Sequence, residues 1–332
     1  MIISKTPVRI SLFGGGTDYP EYFNYNDGCV LNFAIQYYSY VTVRSLHKFS
    51  KNNYFLSYKN IENVSSLNQI QHPSIKNCLK YLNFKTPVQI HYSGDLPAKS
   101  GLGSSSSFTV GLLNALYNFN KKKNSKKNLA RDAIYIEREL NKERVGFQDQ
   151  IICSYGGIKK IKFSHYNDFK VKNINLSNKI IEEIESSIMI IFTNTERYAD
   201  KILKEQIQNT KKKLINSQLR ELKFITKKAI NLVEKNFDMN ELAILLNESW
   251  RLKKNLSNKI TTSSIDELYE YCLTKGAKAG KLLGAGGGGF LLLVGENDTL
   301  NNLSKILKNK NIFSFFPKLD QLGSRIIFSD KS

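Results

Sequence analysis

The 332 residues, 41% of them hydrophobic, can bury a sizeable core and predict two domains or one large one. The longest apolar runs, IMIIF and FLLLV, fall far short of the roughly 20 residues of a membrane-spanning helix, and the opening MIISKTPVRISLF has no apolar stretch of signal-peptide length. Lysine and arginine number 49 against 29 acids, a net charge of +20, but the densest run, KKKNSKK (Lys121–Lys127), carries no aromatic and reads as a solvated turn rather than a nucleic-acid surface.

In chain order, Val8, Ile10 and Leu12 alternate with Arg9, Ser11 and Phe13, a strand pattern stopped by Gly14–Gly16. Residues 28–46 and 86–92 also read as strands. Helix spacing follows in Phe108, Leu112, Ala115 and Phe119, and again in Leu129, Ala133, Ile136 and Leu140. A short helix is predicted to begin near 146 and to stop at Gly156–Gly157. Residues 187–193 read as a buried strand, and long helical patterns fill 196–236 and 240–257. Another helix near 263–275 leads into KLLGAGGGGFLLLV, and the chain closes with a helix near 298–309 and a strand near 324–329. The mixture predicts an α+β protein, with the polar stretch near 164–180 as the domain boundary. Cys29, Cys78, Cys153 and Cys272 are scattered without metal-ligand spacing, away from the four histidines, and read as reduced core thiols of a cytoplasmic protein.

The segment HYSGDLPAKSGLGSSSSFTVGLLNAL, residues 91–116, carries the first chemical signal. A strand enters it and a helix leaves it, so the small residues sit at a helix N-terminus, where unpaired N–H groups and the helix dipole favour anions. Glycine lets the backbone approach phosphate oxygens, and serine adds hydroxyls. One N-cap would account for Ser104 but not for four consecutive serines beside two glycines. A Walker A loop would need a lysine followed by Ser or Thr after its last glycine, and a Rossmann turn a third glycine near Ser106; neither is present.

LPAKSGLGSSSS resembles the central motif of the GHMP kinases, the galactokinase, homoserine kinase, mevalonate kinase and phosphomevalonate kinase superfamily. TPVRISLFGGGTDYPEY (Thr6–Tyr22) resembles its N-terminal sugar-kinase block, and KLLGAGGGGF (Lys281–Phe290) its C-terminal glycine-rich motif. Three blocks in order make the resemblance specific. It implies a two-domain fold, a ribosomal-protein-like domain over 1–170 and a ferredoxin-like domain over 171–332, acting as an ATP- and magnesium-dependent kinase. It implies no nucleic-acid or membrane partner and is compatible with a homo-oligomer.

The resemblance assigns the nucleotide to Pro97, Lys99, Ser100, Gly101, Leu102, Gly103, Ser104, Ser105, Ser106 and Ser107, with Ser105 as the magnesium-binding serine. The metal's carboxylate should come from the following helix. Ala130, Ala133, Ile134 and Glu137 share one helical face, so Glu137 puts a carboxylate where an apolar residue is expected, and an unpaired buried carboxylate is costly. Glu139 is the alternative metal ligand, and an ion pair of Glu137 with Arg131 or Arg138 the alternative role. In GFQDQIICSYGG, Asp149 reads from the residues alone as a helix N-cap. The resemblance makes it the catalytic aspartate that accepts the proton of the attacking hydroxyl, and makes Arg9 its basic partner. Four successive glycines, Gly286–Gly289, read as a tight turn against another backbone, whereas the resemblance sets Lys281, Gly286 and Gly287 beside the substrate.

Galactokinases read GEHTDY where this chain reads GGGTDY. Gly14, Thr17, Asp18 and Tyr19 are expected at the sugar, while Gly15 and Gly16 replace an acid and a histidine and open space. Galactose is therefore disfavoured. The blocks are most similar to those of D-glycero-D-manno-heptose 7-phosphate kinases, which implies phosphorylation of an anomeric hydroxyl on a sugar that already carries phosphate. Arg197, in TNTERYAD, and Lys99 are the candidate cations for that phosphate. L-fucokinase-like activity on a neutral sugar, or a non-catalytic sugar sensor, are the alternatives.

Overall fold

The computed structural model describes residues 1–97, 101–194 and 199–330. Its first part runs β1 (Ile2–Phe13), α1 (Pro20–Asn26), β2 (Gly28–Ser45), β3 (Tyr54–Ser57), β4 (Ile61–Val64), α2 (Pro73–Tyr81), β5 (Val88–Gly94), α3 (Ser104–Phe119), α4 (Lys126–Tyr135), α5 (Gln148–Tyr155), β6 (Ile158–Ser164) and β7 (Asp168–Asn173). Then follow α6 (Asn178–Ser187), β8 (Ile188–Phe192), α7 (Ala199–Lys211), α8 (Asn216–Lys235), α9 (Met239–Lys254), α10 (Ser263–Thr274), β9 (Ala279–Leu282), β10 (Phe290–Val294), α11 (Asn297–Asn309), β11 (Ser314–Phe315) and β12 (Arg325–Ser329).

Two sheets organise these elements. The first has the order β12-β1-β2-β5-β3-β4, with β6 paired to β2 and β7 to β6. β2 is long enough to serve two partners on one edge: Gly28–Phe33 pair with β6, and Ser39–Ser45 with β5. The second sheet has the order β11-β8-β10-β9, antiparallel throughout. Its centre is made by the two longest apolar runs. IMIIF and FLLLV are covered on both faces, which is why they show no alternation. α3 packs on β1 and β2, flanked by α2, α4 and α5, while α8 also reaches β1 and β2 and α9 lies on β9. All four cysteines are free and buried, as core packing requires.

The α+β expectation holds, but a cut at residue 170 does not fit the sheets. β7 lies across it, paired with β6, and β12 returns from the end of the chain to pair with β1. The stretch looked like a linker because β7 is a sheet edge: Lys170 and Lys172 are exposed while Phe169 is buried. One apolar cluster runs through both parts, from Val8, Ile10 and Leu12 through Leu219 and Leu256 to Leu291. The helical pattern expected over 196–236 is also broken. Lys213 adopts φ +61° and the Leu214 N–H bonds back to the Asn209 carbonyl, a left-handed helix ending that separates α7 from α8.

Candidate active site

α3 begins without a side-chain cap. Its N-cap is Gly103, at φ +76°, so the first-turn N–H groups stay open to an anion. A Cβ on Gly103 would approach the Arg9 side chain to 3.2 Å, so glycine also lets the turn close onto β1. The four serines divide their tasks. Ser104 and Ser105 line a cleft of about 170 Å³ together with Gly101 and Gly103. Ser106 donates to Glu137 Oε2 at 2.8 Å, and Ser107 donates to the Thr6 carbonyl at 2.9 Å. Leu102 is fully buried, and its carbonyl accepts from the Arg9 N–H at 2.9 Å. Pro97 is exposed, and Lys99 and Ser100 lie outside the described residues.

Arg9 joins three pieces of backbone. Its Nη1 donates to the Gly101 carbonyl at 2.6 Å, its Nε to Asp149 Oδ1 at 2.7 Å, and its Nη2 to Asp149 Oδ2. Burial opposes the guanidinium charge, but the charge and hydrogen bonds of Asp149 outweigh it and raise its pKa. Asp149 is the second residue of α5 and caps nothing; the N-cap is Phe147. The carboxylate, 21% exposed, faces the cleft. A bidentate Arg–carboxylate pair thus stands beside an open helix N-terminus.

The loop after β1 forms the next wall. Thr17 is fully buried, and its hydroxyl donates to the Gly14 and Cys29 carbonyls at 2.8 and 3.0 Å, so it holds the loop against β2 rather than facing a sugar. Gly14 has the same role: a Cβ there would sit 2.1 Å from the Cys29 carbonyl oxygen. Gly15, Gly16, Asp18 and Tyr19 do line the cleft. Asp18 accepts from the Gly16 and Gln148 N–H groups at 3.0 and 3.4 Å. Burial, and then the Asp149 charge, push its carboxyl up to about 6.

Glu137 occupies the position its helical face assigns. Ala130, Ala133, Ile134 and Glu137 are all buried, and Glu137 sits where α4 passes into a π-helical turn over Ile136–Leu140. Its Oε2 accepts from Ser106 and from Gln150; its Oε1 is buried without a partner. Burial first, and Glu143 second, push the carboxyl up to about 8. Arg131 and Arg138 pair with Asp168 and Glu21 rather than with Glu137, and Glu139 is exposed beside Lys142. The serine that meets Glu137 is Ser106, not Ser105. Neighbouring helical residues project about 100° apart, so Ser105 turns into the cleft when Ser106 turns to Glu137.

The opposite wall comes from the second part of the chain: Leu203 and Gln206 of α7, Lys253 of α9, and Gly284 and Ala285. Lys253 Nζ donates to the Gly284 carbonyl at 2.6 Å. Gly286 and Gly287 turn away from the cleft. A Cβ on Gly286 would lie 2.7 Å from the Ile260 carbonyl oxygen, and the Gly287 N–H bonds to that oxygen at 2.9 Å, the close backbone approach that four glycines permit. Lys281 is not a cleft residue either. It is 2% exposed and donates to the Ser11 and Leu12 carbonyls at 3.1 and 3.0 Å, with its pKa pushed down to about 7 by burial and then by Arg9. Arg197 lies outside the described residues.

The sequence reading missed Ser11, Gln148, Gln206 and Lys253 as cleft residues. Gln148 Oε1 accepts from Ser11 Oγ at 2.7 Å and from Asn32 Nδ2 at 3.0 Å. The signal for Gln206 and Lys253 was available. Each is a buried polar residue on an apolar helix face, Ile202–Gln206 and Leu246–Trp250–Lys253, the same anomaly that marked Glu137.

The family model for the GHMP kinases N terminal domain matches residues 73–157, and that for the GHMP kinases C terminal matches residues 227–312. Over 322 residues the chain is 30% identical to the D-glycero-alpha-D-manno-heptose 7-phosphate kinase of Campylobacter jejuni subsp. jejuni serotype O:2, covering 93% of this chain and 94% of that protein. This chain belongs to the GHMP kinase family. It is 26% identical to the bifunctional fucokinase/GDP-fucose pyrophosphorylase of Arabidopsis thaliana, over 88% of this chain and 30% of that protein. The crystal structure of a D-glycero-D-manno-heptose 1-phosphate kinase from Bacteriodes thetaiotaomicron superimposes with a TM-score of 0.81 at 24% identity, over 99% of this chain and 100% of that one. As a GHMP kinase the protein is an ATP-dependent phosphotransferase with an alcohol acceptor. No described helix is long and apolar enough to cross a membrane.

Proposed function

We propose that this GHMP kinase is a cytoplasmic sugar kinase that phosphorylates the anomeric hydroxyl of D-glycero-D-manno-heptose 7-phosphate, giving the 1,7-bisphosphate on the way to a nucleotide-activated heptose. The observation that carries the reading is the Arg9–Asp149 pair, which shares one cleft with the uncapped N-terminus of α3 and the Gly15–Tyr19 loop. The glycine-serine turn takes the phosphates of ATP through its N–H groups. Asp18 orients the sugar. Asp149 accepts the proton of the attacking hydroxyl as the new P–O bond forms and the bond to the ADP oxygen breaks. Arg9 holds the Asp149 carboxylate in place through two hydrogen bonds and steadies charge on the attacking oxygen. The 30% identical relative, and Gly15 and Gly16 in place of the acid and histidine of galactokinases, support the heptose 7-phosphate.

Glu137 fits a magnesium ion. Its Oε1 is a buried acceptor with nothing to accept from, and magnesium is typically held by one or two carboxylates plus phosphate oxygens and water. Among the described residues there is no group of three His, Cys, Asp or Glu that could hold a metal by themselves, so the nucleotide would complete the set. When bound, magnesium neutralises charge on the β- and γ-phosphates. Glu137→Ala and Ser106→Ala should each raise the magnesium concentration for half-maximal turnover by more than about tenfold, the cost of losing even an outer metal partner. Ser105→Ala should do less. A magnesium titration in which Ser105→Ala is the more affected variant would return the metal to Ser105.

Coupled ADP release across heptose 7-phosphate, the unphosphorylated heptose, fucose, galactose and mannose tests the acceptor. The phosphorylated heptose should be favoured over its neutral form by roughly ten- to a hundredfold, the worth of one charge-assisted contact. Equal efficiency on neutral sugars would support the fucokinase-like reading, which the Arabidopsis relative keeps open. No turnover with any aldose or aldose phosphate would defeat the sugar-kinase assignment.

A further inference from the structure

β1 carries an irregularity at its cleft end. Ser11 pairs with Asn32 and Phe13 with Leu31, so Leu12 is an extra residue in the ladder, a bulge. On its other edge β1 pairs with β12 only at Ile2–Lys5, so no strand covers this end. Ser11 and Leu12 are both buried, and a buried carbonyl at an irregular ladder position needs a donor. Lys281 Nζ satisfies both, at 3.1 and 3.0 Å, reaching from β9 of the second sheet. The bulge lies between two parts of the catalytic apparatus. Arg9, three residues before Leu12, holds Asp149; Ser11, next to the bulge, holds Gln148, the residue before Asp149, through a 2.7 Å hydrogen bond; and Gly15 and Gly16 line the cleft just after it.

We propose that Lys281 is a positioning residue: by tying the bulged end of β1 to the second sheet, it sets the geometry of Arg9 and Asp149 at the cleft. Lys281 touches neither substrate and acts through β1. The inference rests on Asp149 being the base, and the tests below separate the two assignments.

The purified full chain is assayed as wild type, Lys281→Met, Asp149→Asn and the double variant. A displacement of about 1 Å at a reacting group can cost on the order of 10²-fold; Lys281→Met should therefore lower kcat by about ten- to a hundredfold, and weaken ATP binding less than that, since Arg9 reaches the glycine-serine turn only through the Gly101 and Leu102 carbonyls. The double variant should be no slower than Asp149→Asn alone, since a displaced base and a removed base are one loss. A role in stability alone would instead lower the thermal midpoint and leave the kcat of the folded fraction intact. Ser11→Ala, which breaks the link to Gln148 and leaves the lysine in place, should show the same non-additivity with Asp149→Asn and supplies the reading if Lys281→Met does not fold. Losses that multiply in both double variants, or a Lys281→Met kcat near wild type while Asp149→Asn is crippled, would overturn the role of Lys281. Near-wild-type turnover of Asp149→Asn would instead overturn the base.

Discussion

Replacing Asp149 by asparagine should remove about 10²–10⁴-fold of kcat and leave ATP binding nearly intact. The substitution keeps the shape of the side chain and deletes its ability to take a proton, and general-base assistance is typically of this size. Nucleotide affinity should persist because its determinants are elsewhere: the open N–H groups of α3 and the glycines at 101 and 103. One secondary effect is expected. Arg9 would lose its anionic partner while remaining 4% exposed, so the variant should be less stable than wild type, since an uncompensated buried charge is costly. An Arg9→Met, Asp149→Asn double variant should recover part of that stability and none of the activity. Steady-state kinetics, nucleotide titration and a thermal melt on the same preparations check all of these outcomes. Near-wild-type turnover in folded Asp149→Asn protein would eliminate the aspartate as base.

The fold and the phosphate end of the site were legible because their signals are local. A strand pattern, two glycines and a serine run define a helix N-terminus within a dozen residues, and β1, α3 and Glu137 stand where the spacing put them. What was not legible depends on long-range partners. The β1 pattern says nothing of a bulge at Leu12 or of a lysine 269 residues away that caps it. Gly14 and Thr17 carry the letters of a sugar-binding block, yet their atoms are taken up by Cys29 of the neighbouring strand. Ser105 and Ser106 are equivalent in sequence and become distinct only when α4 arrives to present Glu137. Residue 170, where composition suggested a domain boundary, falls inside the polar edge strand β7, and β12 returns from the chain's end to the first sheet. Gln206 and Lys253 are different, since the rule that found Glu137 also applies to their helices.

Asp18 offers an opposed pair of effects in one side chain. Its carboxylate is fully buried at the cleft, and the chain makes room for it: a Cβ on Gly146 would lie 1.9 Å from its Oδ2. Burial and Asp149 raise its carboxyl to about 6, against 3.8 for the free group. The folded state therefore holds this proton more tightly than the unfolded chain does. The resulting stability is fully present below about pH 4 and is lost as pH rises through 6, so at neutral pH the ionised carboxylate is a net cost to the fold of about 3 kcal/mol. Asp18→Asn removes that cost. The variant should be more stable than wild type at pH 7.5 by up to about 3 kcal/mol, less what the amide loses against the Gln148 N–H, and the gain should vanish as pH falls towards 4. Function should move the other way. A carboxylate that accepts from sugar hydroxyls is worth about 1.5–3 kcal/mol per charge-assisted bond, so with two such bonds the acceptor KM should rise on the order of 10²-fold or more. In wild type the same titration should weaken the acceptor as pH drops below about 6, and Asp18→Asn should lose that acid limb. Denaturant melts at pH 4.5 and 7.5, together with KM for the acceptor across that range, read both effects. A stability gain that ignores pH would show that the charge of Asp18 is not the cause, and an unchanged acceptor KM would remove Asp18 from the sugar site, leaving Tyr19 and Gln148 to orient the substrate.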